Sequence, residues 1–296
     1  MRNGSFIKHY YIMLLPGLVW LLFISIIPMF GIAIAFQDFN PGQGIWKSAW
    51  IGLENFEYMF SLNDTKTIFF NTVYIAVMKI AGNLIVPLIF SIMLNELRLL
   101  AVKRWVQTIV YLPHFLSWVI LSGILLDVFS YTGPVNGLLN SLGIEPVLFF
   151  ARADLFPFIV VGSDVWKEFG FNTIIYLAAM TGISPSLYEA ASIDGATRLR
   201  RIWHVTLPGL RTTIVLLAVL SLGNVLNAGF DQIFNLYNPL LYSTGDIIDT
   251  WVYREGLLNM QYGLATAVGL LKSVVSFVLI IVSYLLASKF ANYRIF

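Results

Sequence analysis

The chain has 296 residues, 58% of them apolar and 11% charged, with a formal net charge of +2. Soluble domains carry roughly 25% charged residues, so this composition excludes an ordinary water-soluble domain and puts the chain in the membrane class. The absence of cysteine excludes disulfide and thiolate chemistry; His9, His114 and His204 form no metal-binding pattern; and there is neither a P-loop nor a Gly-x-Ser-x-Gly elbow.

Each bilayer crossing needs about 20 apolar residues. In chain order, apolar runs of that length predict spans at 11–36, 67–94, 105–130, 157–182, 212–237 and 263–288, an all-α membrane protein with six transmembrane helices. The first run is too long for the core of a cleaved signal, so it reads as a retained helix. Long connections follow spans one and three. The first carries Pro41-Gly42-Gln43-Gly44, and the second carries Thr132-Gly133-Pro134 and Asn136-Gly137, which read as turns. This organises the chain as 1–66, an N-terminal helix and outer loop; 67–290, a five-helix core that includes a loop at 184–208; and a tail at 291–296.

Orientation follows from the basic residues. Arg2, Lys8, Arg98, Lys103, Arg104, Arg198, Arg200, Arg201, Arg211, Lys289 and Arg294 fall on one side, and Lys47, Lys66, Arg152 and Arg254 on the other. Cytoplasmic segments carry the excess of lysine and arginine, so both termini and the 184–208 loop are expected in the cytoplasm.

That loop is polar and arginine-rich between two apolar spans. Ser184-Pro185-Ser186 begins a helix, because serine caps free N–H groups and proline is tolerated in the first turn. Ser186 with Glu189 also matches a capping box, so either serine fits the cap. Gly195 suits a helix end with positive φ. A second short helix is expected through Arg198, Arg200, Ile202 and Trp203, with Leu207-Pro208 starting span five. Taken alone, the arginines equally suit a helix lying on anionic headgroups.

Glu189-Ala190-Ala191, then Asp194-Gly195-Ala196, then Leu207-Pro208 resembles the EAA loop of ABC-importer permeases. Phe230–Pro239 and Asp246–Gly256 look like the sugar-type permeases, closest to a subgroup associated with oligosaccharides from complex polysaccharides. The resemblance runs over roughly residues 10–290, with Trp203 standing near a position where the family often has phenylalanine. It implies a type I importer fold in the cytoplasmic (inner) membrane of a prokaryote, and a coupling helix that docks on an ATPase. The implied partners are a second permease subunit, two ATPase subunits, an extracytoplasmic solute-binding protein, a carbohydrate substrate and membrane lipid, with no nucleic acid. No cofactor is implied for this chain, ATP and Mg belonging to the ATPase.

Ionisable groups inside a membrane ask for a partner or a purpose. Span four carries Asp164, Lys167, Glu168 and Asn172 at spacings that share one helix face, with Phe171 beside them. Asp164–Lys167 and Lys167–Glu168 are the pairs expected to neutralise each other. Span five carries Ser221, Asn224, Asn227, Asp231 and Asn235 close to one stripe. Amides and carboxylates beside aromatic rings suit sugar hydroxyls and apolar C–H faces. Helix–helix ties are the plainer reading of the same residues, and Lys79, Asp127 and Lys272 read as structural or snorkelling groups. The competing classes are a self-contained secondary transporter, which would show internal repeats with broken helices and need no coupling loop, and an intramembrane enzyme, for which no nucleophile–base or metal motif is present.

Overall fold

The computed structural model describes residues 3–290. The tail expected at 291–296, with Arg294, and Arg2 at the other end lie outside the described residues.

In chain order, α1 (Asn3–Leu21) runs on through a wide π turn (Leu22–Ile26) and a 3-10 stretch to Phe36. Then come β1 (Gln37–Asp38), β2 (Ala49–Trp50), α2 (Glu54–Ser61), α3 (Asn63–Glu96), α4 (Leu100–Tyr111), α5 (Trp118–Val128), α6 (Pro134–Ser141) and α7 (Phe156–Thr181). They are followed by α8 (Pro185–Ile193), α9 (Arg198–Arg201), α10 (Leu207–Leu222), α11 (Phe230–Leu236), α12 (Tyr242–Gly245), α13 (Ile248–Tyr253) and α14 (Tyr262–Phe290). Among the described residues, four helical segments are long and apolar enough to cross a bilayer: Lys8–Phe36, Asn63–Glu96, Arg198–Leu222 and Tyr262–Leu286. Leu100–Phe115 and Trp118–Val128, bent by 104° at their junction, make a fifth if counted as one span. Helix α7 is 26 residues long but interrupts its apolar surface with Asp164, Lys167 and Glu168.

The chain forms two compact units. One comprises 3–63 and Val252–Leu271. In it β1 and β2 pair antiparallel, Gln37 opposite Trp50, at the foot of the first long helix. The Asn55 amide ties that junction by donating to the Ala35 and Gln37 carbonyls at 3.0 and 3.1 Å. Phe39 meets Tyr262 edge to face at 5.8 Å.

The other unit comprises Asp64–Trp251 and 272–290. Its core gathers Ile75, Leu121, Leu125, Phe156, Val160, Ile233, Leu241 and Ile247, all buried. Helix α11 packs on α5, while α4 and α10 pack on α7. The α4–α7 approach depends on Gly170, where a Cβ would overlap the Val110 carbonyl.

Three features depart from the spans read from sequence. The span expected at 105–130 is two helices. Pro113 sits in a 3-10 turn (Leu112–Phe115), and Ser117 restarts the chain as the cap of α5, its hydroxyl accepting from Ile120 N–H at 3.4 Å. The span expected at 212–237 begins at Arg198 and stops at Leu222. The expected break before Leu207-Pro208 is instead a π turn (Ile202–Thr206), a widened turn placed where Pro208 has no N–H to donate. Residues 223–229 are not helical, and the next helix starts after Gly229 at φ +96°, a backbone conformation that excludes a continuous helix. The polar stripe expected along span five is therefore divided. Ser221 lies on α10, Asn224 and Asn227 lie in the break, and Asp231 and Asn235 lie on α11.

Candidate functional site

Two groups of residues carry chemistry, one in the 184–208 loop and one among the polar side chains of α3, α7 and α11.

The loop folds as its sequence suggests at its centre. Helix α8 ends in a left-handed turn: Gly195 has φ +71°, Gly195 N–H donates to the Ser192 carbonyl at 3.1 Å, and Ala196 N–H reaches back to the Ala191 carbonyl at 2.9 Å. These two bonds satisfy carbonyls that a helix end leaves open. At the start of α8 the expected caps do not form. Ser184 occupies the cap position, but its hydroxyl bonds the Ser186 hydroxyl at 2.8 Å rather than a backbone N–H, and Ser186 lies inside the helix, so no capping box with Glu189 is made. Tyr188 and Thr206 join their hydroxyls at 3.0 Å, and Arg201 donates to the Ser192 hydroxyl at 3.2 Å, fixing α8 against the following helix. Glu189, Ala190, Asp194, Gly195 and Pro208 are exposed, and Ala191, Ala196 and Leu207 are half-buried. Ile193 is 86% exposed, a large apolar side chain held in open solvent by an ordered backbone. A polar cleft of about 430 Å³ lies beside the loop, lined by Glu96, Arg98, Tyr188, Arg198 and Arg201.

In the second group one of the two expected pairs forms, Lys167–Glu168, and the other, Asp164–Lys167, does not. Asp164 pairs with Lys79 on α3, Nζ to Oδ1 at 3.2 Å, and accepts from the Asn83 amide at 2.8 Å. Lys79 also donates to the Ala228 carbonyl at 2.7 Å and to the Gln232 side-chain oxygen, and Gln232 in turn donates to the Val160 carbonyl and the Ser163 hydroxyl at 2.7 and 2.8 Å. One buried ammonium thus holds the break before α11 to α3 and α7. Asp164 pairs with Lys79 and not with Lys167. Lys167 donates to the His114 carbonyl at 2.8 Å and to Glu168 at 2.9 Å. Glu168 receives His114 Nδ1 at 2.7 Å. Neighbouring residues on a helix diverge, and these two meet because both reach for His114 at the α4–α5 bend, Lys167 for its carbonyl and Glu168 for its imidazole.

Asp164, Lys167 and Glu168 therefore sit together on α7 but in two separate networks, with Asn172 half-buried beyond them. Ser221 donates to its own helix at Leu217, 2.8 Å away, while Asn224, Asn227 and Asp231 are exposed. Lys79 and Lys272 are ties, the latter to Asp249 at 2.5 Å. Gln232, Asn83 and His114 were not singled out by sequence. A polar residue one position from Asp231 and a histidine beside a proline were the signals available.

Residues 88–292 match the family described as the binding-protein-dependent transport system inner membrane component. Protein LplB of Bacillus subtilis (strain 168) is 41% identical over 290 residues, covering 98% of this chain and 91% of LplB. The polygalacturonan/rhamnogalacturonan transport system permease protein YteP of the same strain is 40% identical, covering 98% and 90%. Among solved structures, a chain of a bacterial alginate ABC transporter in complex with an alginate pentasaccharide-bound periplasmic protein matches over 100% of both chains, at 35% identity and a TM-score of 0.89.

Proposed function

Because this chain belongs to the family of binding-protein-dependent transport system inner membrane components and is the permease component of a carbohydrate ABC importer, a transport subunit and not an enzyme, we propose that its cargo is an oligosaccharide cut from a polysaccharide. Alginate and polygalacturonan/rhamnogalacturonan are what two of its relatives handle. In this reading the chain crosses the inner membrane of a prokaryote six times with both termini in the cytoplasm, α4 with α5 and α7 supplying the third and fourth spans. Residues 1–66 form the outer helix and loop, 67–290 the translocating core.

The 184–208 loop couples the chain to a separate ATPase. The observation that carries this is the ordered turn at Gly195, beside which Ile193 and Glu189 stand exposed among the described residues. An apolar side chain fixed in water is stabilised by a partner surface, and small Ala190 and Ala191 permit its close approach. Glu189, Asp194, Ala196, Leu207 and Pro208 complete the docking element. ATP and Mg act in the ATPase, of which two copies serve this permease and a second permease subunit. An extracytoplasmic solute-binding protein delivers the sugar. Asp164, Lys167, Glu168, Asn172, Ser221, Asn224, Asn227 and Asp231 border its path, and transport proceeds by alternating access. Reconstitution with the partner permease, ATPase and binding protein tests this. Uptake of a labelled oligosaccharide should require all of them and ATP, and uptake by this chain alone, driven by an ion gradient, would make it a secondary transporter.

A further inference from the structure

The ion pairs on α7 leave one group only partly used. His114 stacks on Phe171 with ring centroids 4.0 Å apart and planes 3° from parallel. Its Nδ1 is committed to Glu168, and its Nε2 makes no bond among the described residues. Phe115, next along the 3-10 turn, meets both rings edge-on, at 5.4 Å from His114 and 6.4 Å from Phe171, yet is 74% exposed. Glu168 accepts one bond on each oxygen, so each keeps a lone pair. The side chains of His114 and Glu168 are 28% and 25% exposed, enough for a ligand atom to reach them.

We propose that His114, Phe115, Phe171 and Glu168 form a pyranose-binding subsite at the bend between α4 and α5. The proposal rests on the reading of the chain as an oligosaccharide permease. A sugar ring presents an apolar C–H face and a rim of hydroxyls. Phe115 offers an open aromatic face for the first, and the free lone pairs of Glu168 with His114 Nε2 accept the second. Lys167 fits the same arrangement. It donates to the carbonyl opened by the bend and lies 5.6 Å over the Trp118 ring, so it holds the bend and neutralises Glu168 without blocking the open side. Glu168 is thereby oriented by two donors before the sugar arrives, and Phe171 fixes the imidazole plane. A purely structural latch needs Lys167 and Glu168 and has no use for an exposed ring at position 115.

The test uses the complete importer in proteoliposomes, with a tritium-labelled alginate or polygalacturonan pentasaccharide, whichever the wild type takes up. Because Phe115 is exposed, its replacement leaves the fold intact. Phe115→Ala and Phe115→Leu should lower sugar transported per ATP hydrolysed about tenfold, the scale of one lost stacking or charge-assisted contact. Phe115→Tyr, which keeps the ring, should restore it, and His114→Gln should give an intermediate loss. ATP hydrolysis stimulated by loaded binding protein should stay at the wild-type level throughout. Unchanged sugar per ATP in Phe115→Ala and His114→Gln overturns the subsite. Asn224→Ala, run in parallel, separates the two readings: its loss with full uptake in the Phe115 and His114 variants removes the subsite alone, and full uptake in all three removes the oligosaccharide pathway as well. An equal fall in uptake and stimulated hydrolysis for Phe115→Tyr and Phe115→Ala would mark the ring as a packing element and also overturn the proposal.

Discussion

Replacing Lys79 with alanine strands three groups at once. Asp164 loses the ammonium 3.2 Å from Oδ1 and keeps the Asn83 amide, the Ala228 carbonyl loses its donor at the break before α11, and the buried Gln232 side-chain oxygen loses its own. The side chains of the pair are 8% and 16% exposed, so water compensates for little of the loss. Removing one partner of a buried ion pair costs about 3–5 kcal/mol, mostly from the charge left uncompensated. The Ala228 carbonyl and the Gln232 oxygen each add about 1–3 kcal/mol when nothing replaces their donor. If the uncompensated carboxylate dominates, Lys79→Ala with Asp164→Asn should recover most of the first cost and leave only the second. The measurement is the midpoint of irreversible loss of folded protein on heating the detergent-solubilised complex, for both singles and the double. The expected order is wild type, then the double, then Lys79→Ala. Equal midpoints for Lys79→Ala and the wild type would refute the tie, and a double less stable than Lys79→Ala would refute the charge as its main term.

Gly170→Ala places a Cβ on the Val110 carbonyl, so it should separate α4 from α7 and destabilise by about 1–3 kcal/mol, read as a lowered midpoint in the same assay. Gly195→Ala meets open space and costs only the left-handed backbone, about 1 kcal/mol. Gly195→Asp adds a charge at the docking contact and should release the ATPase during purification while the chain still inserts; full retention with full uptake would sink the coupling role of the loop. Single cysteines at Ser186 and Ser243, both exposed in a chain without cysteine, should react with an impermeant maleimide from opposite sides. Labelling of Ser186→Cys in intact cells would reverse the proposed orientation.

Much of this protein was legible in its residues because the relevant signals are local. Long apolar runs forecast helices, and the helices at Asn63–Glu96, Phe156–Thr181 and Tyr262–Phe290 lie within a few residues of the expected spans. The turn at Gly195 follows from the one residue type that adopts positive φ without strain. Hydropathy, however, averages over a window and is blind to direction. It could not separate a straight span from the bent pair around Pro113 and Ser117, nor see that the apolar residues after Leu222 leave the helix. Both breaks leave carbonyls that a bilayer would not solvate. They exist because lysines distant in sequence supply the missing donors: Lys167 reaches His114 across 53 positions and Lys79 reaches Ala228 across 149. The residues alone determine that charged groups occur within the spans. Only tertiary structure decides their partners, because a buried cation pairs with whichever acceptors packing brings within about 3 Å, and two of those acceptors, the Ala228 and His114 carbonyls, are backbone atoms that no sequence motif marks.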